Sequence, residues 1–120
     1  MCGVFGIVGE YSPAKAREAL ATLGHRGQDH CGIIEKQGLF LAHQRLSITD
    51  THERSHQPMR HKELLLSFNG EIYNHLQLRA ELEGFPWQTH SDAEVILAAY
   101  EKWGIDCTRL FSLMVIFIKK

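Results

Sequence analysis

The sequence predicts one domain of the α+β class, and three features carry that expectation. Short apolar runs rich in β-branched residues recur at Gly3 to Val8, Gly32 to Ile48, Leu64 to Phe68 and Leu113 to Ile118, a pattern that suits buried strands. Between them lie segments with helical spacing that open on capping residues. The composition, 44% hydrophobic and 22% charged over 120 residues, belongs to a globular chain that can bury a modest core. No repeat, low-complexity tract or linker divides it, so residues 1–120 are read as one domain.

The elements follow in order. Gly3 to Val8 is a short apolar strand that breaks at Gly9-Glu10. In the helix after it, Ser12 can cap, Pro13 fits the first helical position, Ala16, Leu20 and Leu23 form the apolar stripe, and Gly24 stops the chain turning. From Gly32 to Ile48, two apolar runs flank Gln37-Gly38, which predicts a β-hairpin. His52 to His61 is polar and reads as a loop. Leu64 to Phe68 is a strand ending in Asn69-Gly70, after which Asn74 can cap a helix over Leu76 to Glu83. Ser91-Asp92-Ala93-Glu94 has the form of a capping box, with Val95, Ile96, Ala99, Tyr100 and Trp103 at helical spacing until Gly104. Leu113 to Ile118 is the last predicted strand.

Charge and apolar patterning exclude several functions. With 13 basic and 14 acidic residues the formal charge is -1, and neither sign forms a block that would draw nucleic acid or anionic lipid. No run approaches the ~20 apolar residues of a membrane helix, and the N-terminus lacks the basic leader of a signal peptide. The cytosol is the expected compartment. Cys2, Cys31 and Cys107 show no CxxC spacing, which argues against a disulfide framework or zinc knuckle. Cys31 and Cys107 are expected to be buried small hydrophobes. The eight histidines, including His52, His56 and His61, do not place three ligands on one helix face, so no metal site is expected. Neither GxxxxGK nor GxGxxG occurs, which argues against a nucleotide phosphate loop.

Cys2 is the residue most able to carry chemistry. Initiator methionine is generally removed before a small side chain, which would leave Cys2 with a free α-amine. Such an amine has a pKa of about 7.7 to 8.0 and can serve as base to the thiol on the same residue. Taken by itself, a second-position cysteine reads as a small apolar residue at a chain end, since position alone is weak evidence.

Further motifs give that position meaning. The opening Met1-Cys2-Gly3-Val4-Phe5-Gly6-Ile7 resembles that of class II glutamine amidotransferases, which are N-terminal nucleophile hydrolases. His25-Arg26-Gly27-Gln28-Asp29, Leu41 to Asp50 (LAHQRLSITD), Phe68-Asn69-Gly70-Glu71-Ile72-Tyr73-Asn74 and Ser91-Asp92-Ala93-Glu94-Val95-Ile96 resemble the family's other motifs, in order and at family spacing. Within the family, the Arg-Leu-Ser-Ile and Asn-Gly-Glu-Ile-Tyr-Asn segments are similar to those of asparagine synthetases. Gln28 stands where those enzymes usually carry proline, a feature more similar to the amidophosphoribosyltransferase branch. The resemblance runs from Met1 to about Leu110.

The resemblance implies an αββα four-layer sandwich of the N-terminal nucleophile hydrolase type and hydrolysis of L-glutamine through a Cys2 γ-glutamyl thioester. Arg45 is the candidate for the glutamine α-carboxylate, since guanidinium can pair with it in a bidentate fork. Asp92 is the candidate for the α-ammonium; read alone, it is a helix-start residue favoured by the dipole. Asn69-Gly70 reads locally as a tight turn, and by resemblance as an oxyanion hole made of the Asn69 amide and the Gly70 backbone N–H. The resemblance further places Leu46, Ile48, Thr49 and Glu71 in the glutamine pocket and Arg26 in a loop at its mouth.

In asparagine synthetases ammonia passes to a second domain that uses ATP and Mg²⁺. That domain is absent from residues 1–120, so no cofactor is expected here, and a synthetase domain or a homodimer partner is the expected associate. The family domain normally continues with further strands, whereas Phe111 to Ile118 departs from its Gly-Met-Phe-Ala-Phe pattern. The sandwich is therefore expected to be incomplete at the C-terminus. Two alternative readings follow: a non-catalytic remnant or interaction module, and the glutaminase part of another amidotransferase.

Overall fold

A computed structural model describes residues 2–46, 53–111 and, as backbone, 117–119. Two antiparallel three-stranded sheets are present among them. Strand β1 (Gly3–Val8) and strand β2 (His30–Lys36) flank strand β3 (Leu39–Arg45) in the first sheet, in the order β1-β3-β2. The second has the order β4-β5-β6, from Met59–His61, Leu64–Leu66 and Phe117–Lys119. Helix α1 spans Pro13–Ala21, α2 His75–Glu81 and α3 Asp92–Trp103.

The predicted hairpin forms around Gln37-Gly38. Lys36 pairs with Leu39, and Gly38 has φ 73°, a left-handed conformation that glycine adopts without steric cost. Strand β3 is central and buried along its whole length, because both of its faces are covered. Phe40 and Ala42 meet Ala16 and Leu20 of α1 on one side. Leu39 and Leu41 meet Leu65 of β5 on the other. Alternation along β3 therefore sends successive residues to two different apolar layers.

The largest core lies beyond the second sheet, where Leu66 and Phe68 pack with Ile72, Leu78 and the buried face of α3. Val95, Ile96 and Ala99 are fully enclosed there; burying a side chain the size of valine or isoleucine contributes roughly 1.5 to 3 kcal/mol. Helix α3 ends at Gly104, whose φ of 60° takes the chain out of the helix.

Several local expectations need correction. Met59–His61 is a strand, β4, inside the stretch predicted as loop; it pairs with β5 through Met59↔Leu66 and His61↔Leu64. Asn74 precedes α2 but makes no side-chain cap; its Nδ2 donates instead to the Leu110 carbonyl at 2.8 Å. The Ser91 hydroxyl caps α3 by accepting from Ala93 N–H, but the reciprocal half of the box is replaced. Glu94 reaches further back and accepts from Gln88 N–H, Thr89 N–H and the Thr89 hydroxyl, so it organises the preceding loop. Cys31 is exposed and not buried, because β2 is an edge strand and this position faces outward. Cys107 is buried as expected. Leu23 lies past the end of α1. The predicted last strand falls partly outside the described residues, and its pairing with β5 is through Leu66↔Phe117, Leu65↔Ile118 and Leu64↔Lys119. No helix among the described residues is long and apolar enough to cross a membrane.

Candidate active site

Cys2 sits one residue ahead of β1, whose ladder with β3 starts at Gly3↔Gln44. That register brings Cys2 to the end of β3, where Arg45 and Leu46 leave the sheet. The Leu46 N–H points at the Cys2 sulfur at 3.5 Å, and the sulfur lies 3.8 Å from the Leu46 carbonyl.

Around the sulfur opens a cleft of about 420 Å³ lined by Cys2, Arg45, Leu46, Asn69, Gly70, Glu71 and Asp92, together with Ser55, Gln57, Phe68, Tyr73 and Ser91. Its size is in the range of small-ligand sites. Seven of the nine residues singled out from the sequence for catalysis or substrate binding thus meet at one place, although 90 residues separate Cys2 from Asp92. The other two, Ile48 and Thr49, lie outside the described residues.

Each group is held by its own local device. Arg45 is the last residue of β3 and only 6% exposed. Its backbone is clamped by the loop before β2: Asp29 N–H donates to the Arg45 carbonyl at 3.0 Å. A Cβ on Gly27 would stand 2.5 Å from the Arg45 carbonyl carbon, so only glycine permits that approach. The same loop, with Arg26 and Gln28, lines a neighbouring hollow of about 510 Å³ that shares Leu46 with the cleft. Arg26 is therefore beside the cleft and not in its wall.

Asp92 occupies the first turn of α3, and its Oδ2 accepts from Ile72 N–H at 2.8 Å. This bond pins the loop after Gly70 to the helix start. A carboxylate has lone pairs for further donors, so the same group can both brace that loop and receive an ammonium. The helix-start and ligand-binding readings of Asp92 are compatible.

The charge balance near Arg45 is set by two imidazoles. Burial, reinforced by the Arg45 charge and by His30, pushes the pKa of His43 down to about 4. Burial first, then His56 and Arg45, lowers that of His30. Both rings are kept neutral, leaving the guanidinium as the fixed positive charge at this end of β3. His30 stacks on His56 with ring centroids 3.7 Å apart. His61 is bonded to Glu101 at 2.8 Å, and no cluster of three metal-ligating side chains occurs among the described residues. His52 lies outside them.

The sequence did not single out Gln57, Ser55 or Tyr73 as site residues. Gln57 accepts from Phe68 N–H at 2.6 Å through Oε1, a contact with no local signature. Tyr73 is 76% exposed at the rim; the Asn69 to Asn74 motif contained it, but nothing distinguished it from its neighbours.

Residues 1–118 match the family described as glutamine amidotransferase domain. Asparagine synthetase B (glutamine-hydrolysing) of Escherichia coli is 43% identical over 112 residues, covering 87% of this chain and 20% of that protein. Glutamine-hydrolysing asparagine synthetase 2 of Oryza sativa subsp. japonica is 38% identical over 125 residues, 98% of this chain and 21% of the relative. The corresponding enzyme 1 of Arabidopsis thaliana is 37% identical over 113 residues, 88% and 19%. The chain spans about a fifth of the length of these relatives.

Proposed function

The chain belongs to the glutamine amidotransferase domain family, and from that premise we propose that it hydrolyses the side-chain amide of L-glutamine at Cys2. The observation that carries the reading is the convergence of a thiol, a nearly buried arginine, a helix-start carboxylate and an Asn-Gly pair on one cleft.

In the proposed reaction Met1 is absent and the Cys2 α-amine takes the thiol proton. The thiolate attacks the amide carbon of glutamine, and the carbonyl oxygen becomes an oxyanion that accepts from the Asn69 side-chain amide and the Gly70 N–H. The C–N bond breaks, the α-ammonium returns its proton to the leaving nitrogen, and ammonia departs from a γ-glutamyl thioester. Water, giving a proton to the α-amine, then attacks the thioester; the C–S bond breaks, the proton passes to the Cys2 sulfur, and glutamate leaves. Arg45 holds the substrate α-carboxylate and Asp92 its α-ammonium, so the substrate is fixed at one end while its amide lies at the sulfur. Leu46 and Glu71 complete the pocket wall, with Ile48 and Thr49 assigned to it by the family resemblance.

The ammonia is proposed to serve asparagine formation, the activity in the names of the relatives. An αββα four-layer sandwich is the architecture we assign to residues 1–120; what supports it is α1 on one face of the first sheet, Leu65 of the second sheet on the other, and α2 and α3 beyond.

The clamp gives the test. Purified protein should release glutamate and ammonia in equal amounts from L-glutamine. Glutaric acid monoamide, which lacks the α-ammonium, and 4-aminobutanamide, which lacks the α-carboxylate, should lose on the order of 100-fold in kcat/KM, because each gives up one of the two charge-assisted contacts that hold glutamine in the proposed site. Equal turnover of all three amides, or none of glutamine, would contradict the proposal.

A further inference from the structure

The thiol and its oxyanion donors stand on different sheets. Cys2 is aligned by the β1-β3-β2 sheet, whereas Asn69-Gly70 follow β5 of the other. Strand β5 ends at Leu66, and Ser67, Phe68 and Asn69 belong to no strand. Among the described residues, no ladder therefore sets the position of the donor pair relative to the sulfur.

Among the described residues, two polar side chains, His43 and Gln57, bridge that gap from one rung of the first sheet, the cross-strand pair Gly32↔His43. His43 Nδ1 lies 2.9 Å from the Ser67 hydroxyl, and that hydroxyl lies 3.4 Å from the Ala42 carbonyl. Ser67 has one proton and a carbonyl can only accept, so both contacts are satisfied together when the hydroxyl donates to Ala42 and receives the His43 Nδ1–H. This tautomer leaves His43 Nε2 as a bare acceptor in the core, where it has no partner among the described residues. An unmet acceptor costs less than an unmet N–H.

The second contact starts at Gly32. A Cβ there would stand 2.0 Å from the Gln57 carbonyl oxygen, so the Gln57 backbone is seated directly on β2. The Gln57 side chain then takes the Phe68 N–H at 2.6 Å, one residue before Asn69. Ser67 is fully buried and Phe68 3% exposed, so neither bond is exchanged freely for water.

We propose that His43 and Gln57 are positioning residues that hold Ser67 and Phe68 against the first sheet, and so place the Asn69 amide and the Gly70 N–H opposite Cys2. The proposal rests on the glutaminase reading for its kinetic consequence, but the brace itself is a structural claim that can be read without turnover. Arg45 and Asp92 are fixed by other contacts, so loss of the brace should degrade the oxyanion donors and spare substrate binding.

Ser67→Ala, His43→Leu and Gln57→Leu remove the brace. His43→Asn keeps a donor near the Nδ1 position, and Gln57→Glu keeps the acceptor. Amide hydrogen exchange of Phe68 to Gly70 should accelerate on the order of tenfold in the first three variants, with exchange in α3 unchanged, and should return toward wild type in the conservative two. In the glutaminase assay kcat should fall on the order of 10- to 100-fold while KM stays within about threefold. Unchanged exchange in both Ser67→Ala and Gln57→Leu would overturn the proposal, as would acceleration spread evenly over the chain or a loss expressed in KM alone. If wild-type protein shows no turnover the glutaminase reading fails, and the exchange data still decide whether the brace exists.

Discussion

Cys2→Ala is expected to abolish glutamine hydrolysis while leaving the fold intact. Loss of the nucleophile in a covalent hydrolase costs on the order of 10⁶-fold in kcat, which here means glutamate release indistinguishable from background. Among the described residues the sulfur's hydrogen bonds are with the Leu46 main chain and the residue is half-buried, so the melting temperature should shift by less than about 4 °C. Neither other thiol can substitute. Cys107 is enclosed in the core, and burial pushes its pKa up to about 11, which keeps it protonated. Cys31 is exposed on β2 and does not line the cleft. Turnover in Cys2→Ala above a few per cent of wild type would remove Cys2 from the mechanism.

Asn69→Ala should lower kcat by about 100- to 1,000-fold with a much smaller change in KM. The asymmetry follows from timing. An amide N–H directed at the developing oxyanion makes its strongest bond in the tetrahedral intermediate, while in the proposed reaction Arg45 and Asp92 hold the glutamine α-carboxylate and α-ammonium in ground state and transition state alike. Steady-state kinetics of purified Asn69→Ala against wild type would check it. A rise in KM of the same size with kcat preserved would instead make Asn69 a substrate-binding residue.

The parts of the fold written into local sequence were readable, and those created by tertiary contact were not. Gln37-Gly38 between two apolar runs marked its hairpin because a two-residue turn needs φ above zero. Ser91 and Gly104 bounded α3 because a cap and a left-handed stop are local chemistry. Met59–His61 gave no such signal: three residues containing Arg60 and His61 become a strand only because β5 offers them a partner. Asn74 looked like a cap until the Leu110 carbonyl, 36 positions later, supplied a competing acceptor.

The candidate site divides along the same line. Cys2, Arg45, Asn69 and Asp92 were singled out through the family resemblance, since each taken alone has a plainer local reading, and all four line one cleft. Their meeting in one cleft depends on the β1–β3 register and on the Asp92 bond to Ile72 N–H, neither of which periodicity reveals. His43 and Gln57 were invisible as site-related residues. Histidine in the middle of an apolar strand has no pattern of its own, and its partner Ser67 belongs to another sheet's strand exit.

Covalent labelling followed by intact-mass measurement and peptide mapping tests the central claim most directly. The purified chain, incubated with a diazoketone analogue of glutamine, should carry no Met1 and should gain one adduct, on Cys2, with L-glutamine protecting against it. A retained Met1, or an adduct on Cys31 or Cys107 in preference to Cys2, would contradict the account.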